Sequence, residues 1–498
     1  MYGTILARPR DAGASARDDQ RTTVTTTPLA VATATTTEAE RALPSSSGPG
    51  ATLVIVGGGG FRVPLIHRAL SDGPFAGLVS DVVLVDALPE RAHAIARVLE
   101  ALPMMPGRPS PSVRVDTRLE DALPGADIVF AAVRSGGAEG RILDERVALS
   151  AGLLGQETVG AGGISYALRS IPDMMRVAGA MRELAPDAWL INFTNPAGMV
   201  TESLSTVLGP RVIGICDSAS GLVTRAARAA GVDLRGSLAG VDYVGLNHLG
   251  WLRGLGGAAH DHLPALLADP ARLAGFEEGR LFGPDLLRML GAVPNEYLFY
   301  YYFHREALRS IRGADRTRGE ILRDQQQHLY PRLLAAEAPL AVWENARRER
   351  ESGYLAEARS GDEERDEADL AGGGYERVAL QVMRALLTGQ RAELILNLRN
   401  ASTFPELPED AVVEVPAVVD STGARPLPAA ALTSHQLGLM SAVKAVEQDT
   451  IRAAVHGDRD AALRAFALHP LIDSFHSAAR VLRGYEQAFP ALGASWSG

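Results

Sequence analysis

The stretch ATLVIVGGGG at residues 51–60 limits this chain's fold more than any other. Apolar and β-branched residues run from Thr52 to Val56 straight into four glycines, and FRVPLIHRALSD follows with helical apolar spacing. A continuous apolar run of that length reads as a strand buried on both faces, and glycines leading from it into a helix open a βα unit. The pattern recurs. DVVLVDA (81–87) predicts a second buried strand and ERAHAIARVLEAL the helix after it. ADIVFAAV (126–133), AWLINFTNP (188–196) and VIGICD (212–217) supply a third, fourth and last strand of the layer. Strands alternating with helices give a parallel sheet with right-handed crossovers. The expected class is α/β, with a Rossmann-like doubly wound parallel sheet over residues 51–217 and a mixed α+β domain over 218–498.

In that second half, DYVGLNHLGWL, ELILNLRN and AVVEVPAVVD read as strand-like pieces. HLYPRLLAAEA, GYERVALQVMRALLTG and the region from Ser434 onward read as helices. RRERESGYLAEARSGDEERDEAD is charged enough to be a solvated helix or loop. Residues 1–50, rich in Thr, Ala, Ser and Pro, carry no apolar period and are expected to form a disordered tail.

Composition removes several function classes. No apolar run approaches the roughly 18 residues of a membrane span, and the opening lacks a secretory pattern. Cys216 is the single cysteine, which excludes an intrachain disulfide and suits a reducing compartment. A cytoplasmic protein is expected. Net charge is -10 with dispersed arginines, which argues against nucleic acid as a partner. Lys444 is the one lysine, so a Walker-A loop or a Schiff-base lysine has almost nowhere to sit.

Gly57, Gly58, Gly59 and Gly60 lie where a tight turn and close backbone approach would admit a pyrophosphate at a helix N-terminus. Asp86, ending the second strand, stands at the distance expected of a carboxylate that accepts from ribose hydroxyls, and an acid there favours NAD over NADP. That Asp86 simply caps a turn is the lesser alternative, and the glycine spacing departs from GxGxxG. Cys216 ends an apolar strand, and His248 lies in GLNHLGW. Together they would make half a metal site with open positions; by spacing alone both read as well as packing residues. The glycine-rich polar stretch after Arg134, with Arg141, Asp144, Glu145, Gln156 and Glu157, is expected to shape loops around a ligand. Asn192 and Asn195 mark another strand end.

GLLGQETVGAGG, ALRSIP, DAWLINFTNPAGMVTE, GICD, GLNHLGW and PNEYLFYYY, in this order, resemble glycoside hydrolase family 4, from about Thr52 to near the C-terminus. Within it the chain looks most similar to 6-phospho-β-glucosidases. This NAD-dependent family is a known exception to two-carboxylate glycoside hydrolysis. The resemblance implies that NAD+ takes hydride from C3 of the sugar, a base removes the acidified C2 proton, the aglycone leaves, water adds and the hydride returns. It implies Cys216 and His248 as ligands of a divalent metal, usually Mn2+, that binds the C2 and C3 oxygens. It implies Tyr297 as the base, Glu157 as a residue raising its basicity, and Asp217 as proton donor to the leaving oxygen. Arg141, Asn195 and Arg318 would hold the phosphorylated glycoside, guanidinium groups gripping a 6-phosphate bidentately. The C-terminal domain would then serve substrate binding and assembly into a homodimer or homotetramer.

Two departures stand out. Gly60 and Phe61 occupy positions where many members carry a serine. Asp217 follows the cysteine where β-specific members commonly have Asn, and an aspartate there is the habit of the α-specific enzymes. A 6-phospho-α-glucosidase is therefore an alternative. A 2-hydroxy acid dehydrogenase and a catalytically silent NAD and sugar-phosphate sensor are the others, and the Cys216/His248 pair and Tyr297 speak against both.

Overall fold

A computed structural model describes residues 50–71, 75–103, 110–256, 260–352 and 374–496. Residues 1–49, the expected tail, lie outside them, as does most of the charged segment after Arg347.

Six strands build the first half of the sheet: β1 (Ala51–Val56), β2 (Val79–Val85), β3 (Ser112–Asp116), β4 (Ile128–Ala131), β5 (Trp189–Asn192) and β6 (Val212–Gly214). They run parallel in the order β3-β2-β1-β4-β5-β6, the doubly wound Rossmann order. Successive side chains on a strand point to opposite faces, so both faces of β1 must be apolar for it to lie inside. They are. Leu53 and Ile55 pack with Val82, Leu84 and Phe130 on one face, and Val54 and Val56 with Val83, Val129, Ile171 and Met174 on the other.

The sheet continues without a break into antiparallel strands: β7 (Val241–Leu246), β8 (Leu249–Leu255), β9 (Val293–Pro294), β10 (Ala392–Arg399), β11 (Val412–Asp420) and β12 (Gly423–Pro426). β10 joins β6 through Asn397 opposite Gly214, and β11 joins β7 through Glu414 opposite Gly245. Parallel sheet therefore passes into mixed sheet just beyond Gly214 (Cys216 follows two residues later).

Two sequence expectations change here. SVRVD forms the edge strand β3, which the apolar-run reading did not find because its residues are half-buried or exposed. The polar stretch after Arg134 is mostly helix, Gly137–Ser150 and Gly160–Leu184, with only a short connection between them. Its small residues serve packing: a Cβ on Gly162 would stand 2.1 Å from the Gln156 carbonyl oxygen, and one on Gly163 2.6 Å from that of Thr158.

Helices from the C-terminal half close over the glycine turn. Tyr330, on the helix Arg318–Ala335, donates its hydroxyl to Gly59 O at 2.8 Å, and Trp343, on Pro339–Ser352, donates Nε1 to Phe61 O at 2.8 Å. No helix among the described residues is long and apolar enough to cross a membrane.

Candidate active site

The C-terminal ends of β1, β2, β4, β5 and β6 open into one cleft of about 1050 Å³. Open α/β sheets bind ligands at this edge, where strand order reverses, and the volume is at the upper end of small-molecule sites, roughly 300–1,000 Å³. Gly57, Gly59, Gly60 and Asp86 line one part of it; Arg141, Glu157, Asn195 and Arg318 line another, with Cys216, Asp217, His248 and Tyr297. Of the residues singled out in the sequence, Asp144, Glu145 and Asn192 are not among the lining, and neither is Gly58. It faces β2, where a Cβ would stand 2.7 Å from Leu84 Cβ.

The glycine turn is one that side chains cannot follow. Gly57 has φ +88°, and a Cβ there would lie 2.6 Å from the Ala132 carbonyl oxygen. A Cβ on Gly59 would lie 2.5 Å from Arg91 Cβ and 2.9 Å from Asp86 Oδ2. Asp86 reaches back across the turn, its Oδ2 accepting from Gly59 N at 2.9 Å and Oδ1 from Leu88 N at 3.0 Å.

Cys216 and His248 converge although 32 residues apart, with Sγ 3.6 Å from Nε2 and only 6% and 4% of each residue exposed. His248 is the second residue of the two-residue turn joining β7 to β8 and has φ +63°. Left-handed backbone costs a non-glycine residue about 1–2 kcal/mol, and such strain concentrates at functional sites. Burial pulls the imidazole down to about 4, leaving a neutral nitrogen donor. Burial, with Glu414 and Asp217 nearby, pushes the Cys216 thiol up. Among the described residues no group of three or more His, Cys, Asp and Glu side chains gathers to hold an ion, so the pair could supply only part of a coordination sphere.

Tyr297 lies flat on His248, ring centroids 3.7 Å apart and planes at 9°. Asn295, fully buried, fixes that position: its Oδ1 accepts from Tyr297 N at 3.1 Å, and its Nδ2 donates to Ser218 Oγ at 3.0 Å. Ser218 Oγ is in turn 3.3 Å from Cys216 Sγ. Asn295 and Ser218 thus link the backbone of Tyr297 to the thiol, and neither was singled out from the sequence, since 77 residues separate them. Asp217, at the N-cap position of the helix Ser218–Ala230, is partly exposed, 3.5 Å from Arg62.

Glu157 sits between two guanidinium groups, accepting from Arg141 at 2.6 Å and also from Arg134. Burial opposes both charges, but Glu157, joined by Tyr166 and Asp144 at Arg134 and by Glu145 at Arg141, outweighs it and keeps the arginines protonated. Arg141 also donates to Glu145, whose other oxygen accepts from Gly319 N at 2.9 Å at the start of the helix that carries Arg318. Asn195 Oδ1, at the rim of β5, is buried with no hydrogen-bond partner among the described residues, a cost of about 1–3 kcal/mol that a ligand donor would relieve.

The family 4 glycosyl hydrolase model matches residues 53–232, and the model of its C-terminal domain matches residues 243–472. A probable 6-phospho-β-glucosidase of Bacillus subtilis is 29% identical, covering 87% of this chain and 95% of its own. A 6-phospho-β-glucosidase of Escherichia coli is 30% identical, covering 73% and 78%. A 6-phospho-α-glucosidase of Leptotrichia buccalis is 26% identical, covering 86% and 96%. The 6-phospho-β-glucosidase of Thermotoga maritima, solved with manganese, NAD+ and glucose 6-phosphate, superposes with TM-score 0.73 at 25% identity, covering 89% of this chain and 99% of that one.

Proposed function

The chain belongs to glycosyl hydrolase family 4, and from that premise we propose that it hydrolyses 6-phospho-β-glucosides, using NAD+ and a divalent cation such as Mn2+. One observation carries the reading: a single cleft joins a glycine turn with no room for side chains to a buried Cys/His pair with a tyrosine stacked on it.

Both groups fit the residues present. The glycine turn presents backbone without side chains to the cleft beside Asp86, as close approach of a dinucleotide requires. A neutral imidazole beside a thiol is a donor set for a borderline divalent ion, and cation binding would displace the thiol proton. When bound, NAD+ supplies reversible hydride transfer at C3, and the cation supplies Lewis-acid stabilisation of charge on the neighbouring oxygens.

The protein's own part is placement and proton transfer. Tyr297, held by Asn295 and backed by His248, is the group for the C2 proton. Asp217, partly exposed at the cleft, is the donor to the leaving oxygen. Arg141 and Arg318 hold the phosphate and Asn195 a sugar hydroxyl. Glu157, bound to Arg141 and Arg134, orients the arginines at that end and adds negative charge near His248. The lone reduced thiol suits a cytoplasmic setting, and a homodimer or homotetramer is the expected assembly. Asp217 favours one second reading, the 6-phospho-α-glucosides.

The experiment is a panel of chromogenic α- and β-glycosides, phosphorylated and free, with NAD+, Mn2+ and a reductant. Turnover of the 6-phospho-β substrate that vanishes on chelation or on stripping the dinucleotide is expected. Turnover of the α-anomer alone installs the second reading, and net accumulation of NADH would mark a dehydrogenase and overturn both.

A further inference from the structure

Behind the Cys216/His248 pair lies a buried carboxylate that the proposed chemistry does not use. Glu414 is 1% exposed, and among the described residues it has no ion-pair partner. Its Oε2 accepts from Tyr243 Oη at 2.9 Å, and its Oε1 accepts from Asn247 Nδ2 at 3.3 Å and from Asn397 Nδ2 at 3.1 Å. These partners sit at the junctions that place the pair. Asn247 precedes His248 in the strained turn, and Asn397 is the residue through which β10 meets β6, at Gly214, two residues before Cys216. Glu414 itself makes the bridge from β11 to Gly245, three residues before His248.

Bracing alone does not call for a charge. Glutamine could accept from both asparagines through its oxygen and meet the Tyr243 hydroxyl with its amide, without the several-kcal/mol desolvation cost of a buried ion. An ionised Glu414 acts where the pair lies, since it bonds Asn247 beside His248 and its strand meets Gly245; burial pushes its carboxyl up to about 7, so a thiolate and a carboxylate are both disfavoured there with no cation near. A divalent cation resolves the conflict, two positive charges balancing one thiolate and one carboxylate.

We propose that Glu414 supplies a buried counter-charge for the cation held by Cys216 and His248, and so sets its affinity without touching it. The proposal rests on the metal reading above. Removal of outer-shell partners commonly costs roughly 10–100-fold in metal affinity, which is the range expected for Glu414→Gln.

The test measures Mn2+ binding to the full chain with NAD+ present, by electron paramagnetic resonance of free against bound ion, for the parent, Glu414→Gln, Glu414→Asp and Cys216→Ser. Glu414→Gln keeps shape and removes charge, whereas Glu414→Asp keeps charge and shortens reach. The expected result is a 10–100-fold weaker Kd for Gln, a change within about threefold for Asp, and NAD+ affinity unchanged in both. Parent-like Mn2+ binding by Glu414→Gln, or an equal loss in Glu414→Asp, overturns the proposal. If Gln does not yield folded protein, Asp decides alone: retention supports the counter-charge and a loss beyond about tenfold overturns it. Unaltered Mn2+ binding in Cys216→Ser would instead refute the metal reading on which the proposal stands.

Discussion

Replacing Lys444 with methionine probes how a long helix of the C-terminal half is held against the sheet. Lys444, the one lysine in the chain, is 2% exposed on the helix Ser434–His456. Its Nζ donates to Glu202 Oε2 at 2.9 Å and to Val412 O at 2.8 Å, and lies 2.5 Å from Glu447 Oε2. Glu202 belongs to the helix Ala197–Leu208 that follows the Asn195 turn, and Val412 begins β11, the strand of Glu414. Methionine nearly preserves volume, so the packing loss is small. What remains is two buried carboxylates with no cation between them, Glu202 keeping only the hydrogen bond from Val412 N. Breaking a buried ion pair from one side costs about 3–5 kcal/mol, whereas replacing all its members together is often close to neutral. The prediction is therefore a loss of about 3–5 kcal/mol for Lys444→Met, and recovery of at least about half of it in Lys444→Met/Glu202→Gln/Glu447→Gln. Equilibrium urea unfolding followed by tryptophan fluorescence measures both. Burial already pushes Glu447 up against the pull of Lys444. Without the lysine, protonation relieves the stranded carboxylates, and the penalty should shrink as pH falls from about 8 to about 5. A single variant within about 1 kcal/mol of the parent, or a triple variant less stable than the single, would refute the reasoning.

Three further outcomes follow from the same geometry. Gly57→Ala, forced to φ +88° against the Ala132 carbonyl, should weaken NAD+ binding by calorimetry at least about tenfold, from a strain of about 1–2 kcal/mol plus the clash, with Mn2+ binding intact. Tyr297→Phe should lower kcat by about 10²–10⁴-fold, leaving KM and NAD+ affinity near the parent's; parent-like kcat would dismiss the phenol as base. His469 is buried, and burial pulls it down to about 3, so the folded state refuses a proton that the unfolded chain binds near its ordinary 6.5. Its contribution is present above about pH 6.5 and lost as pH falls toward 3, so the parent's melting temperature should drop over that window more steeply than that of His469→Gln.

The parallel half of the fold was readable because its strands are buried on both faces and stand out as apolar runs. β3 was not, since SVRVD carries charge on a half-exposed edge. DYVGLNHLGWL looked like one extended piece because the turn between β7 and β8 lacks the glycine such turns favour. A histidine accepts the positive φ instead, and the missing signal is itself a mark of the site. The polar stretch after Arg134 misled in part: Gln156 and Glu157 do lie in a connection that lines the cleft, but most of the stretch is helix, and Gly155, Gly162 and Gly163 are there for close approach. Cys216, His248 and Tyr297 were reached through motif order, whereas Ser218, Asn295 and Glu414 were not. Their importance lies in partners as distant as Tyr243, 171 residues from Glu414, and no local pattern encodes such a meeting.

The account turns on a C–H bond at C2 of the sugar being broken and remade. Cleavage of the 6-phosphoglucoside in D2O, with the glucose 6-phosphate analysed by NMR, tests it most directly. Deuterium at C2 of the product, absent from unreacted substrate incubated without NAD+, is the predicted result. Product that keeps its original hydrogen at C2, formed at an undiminished rate without dinucleotide or cation, would contradict it.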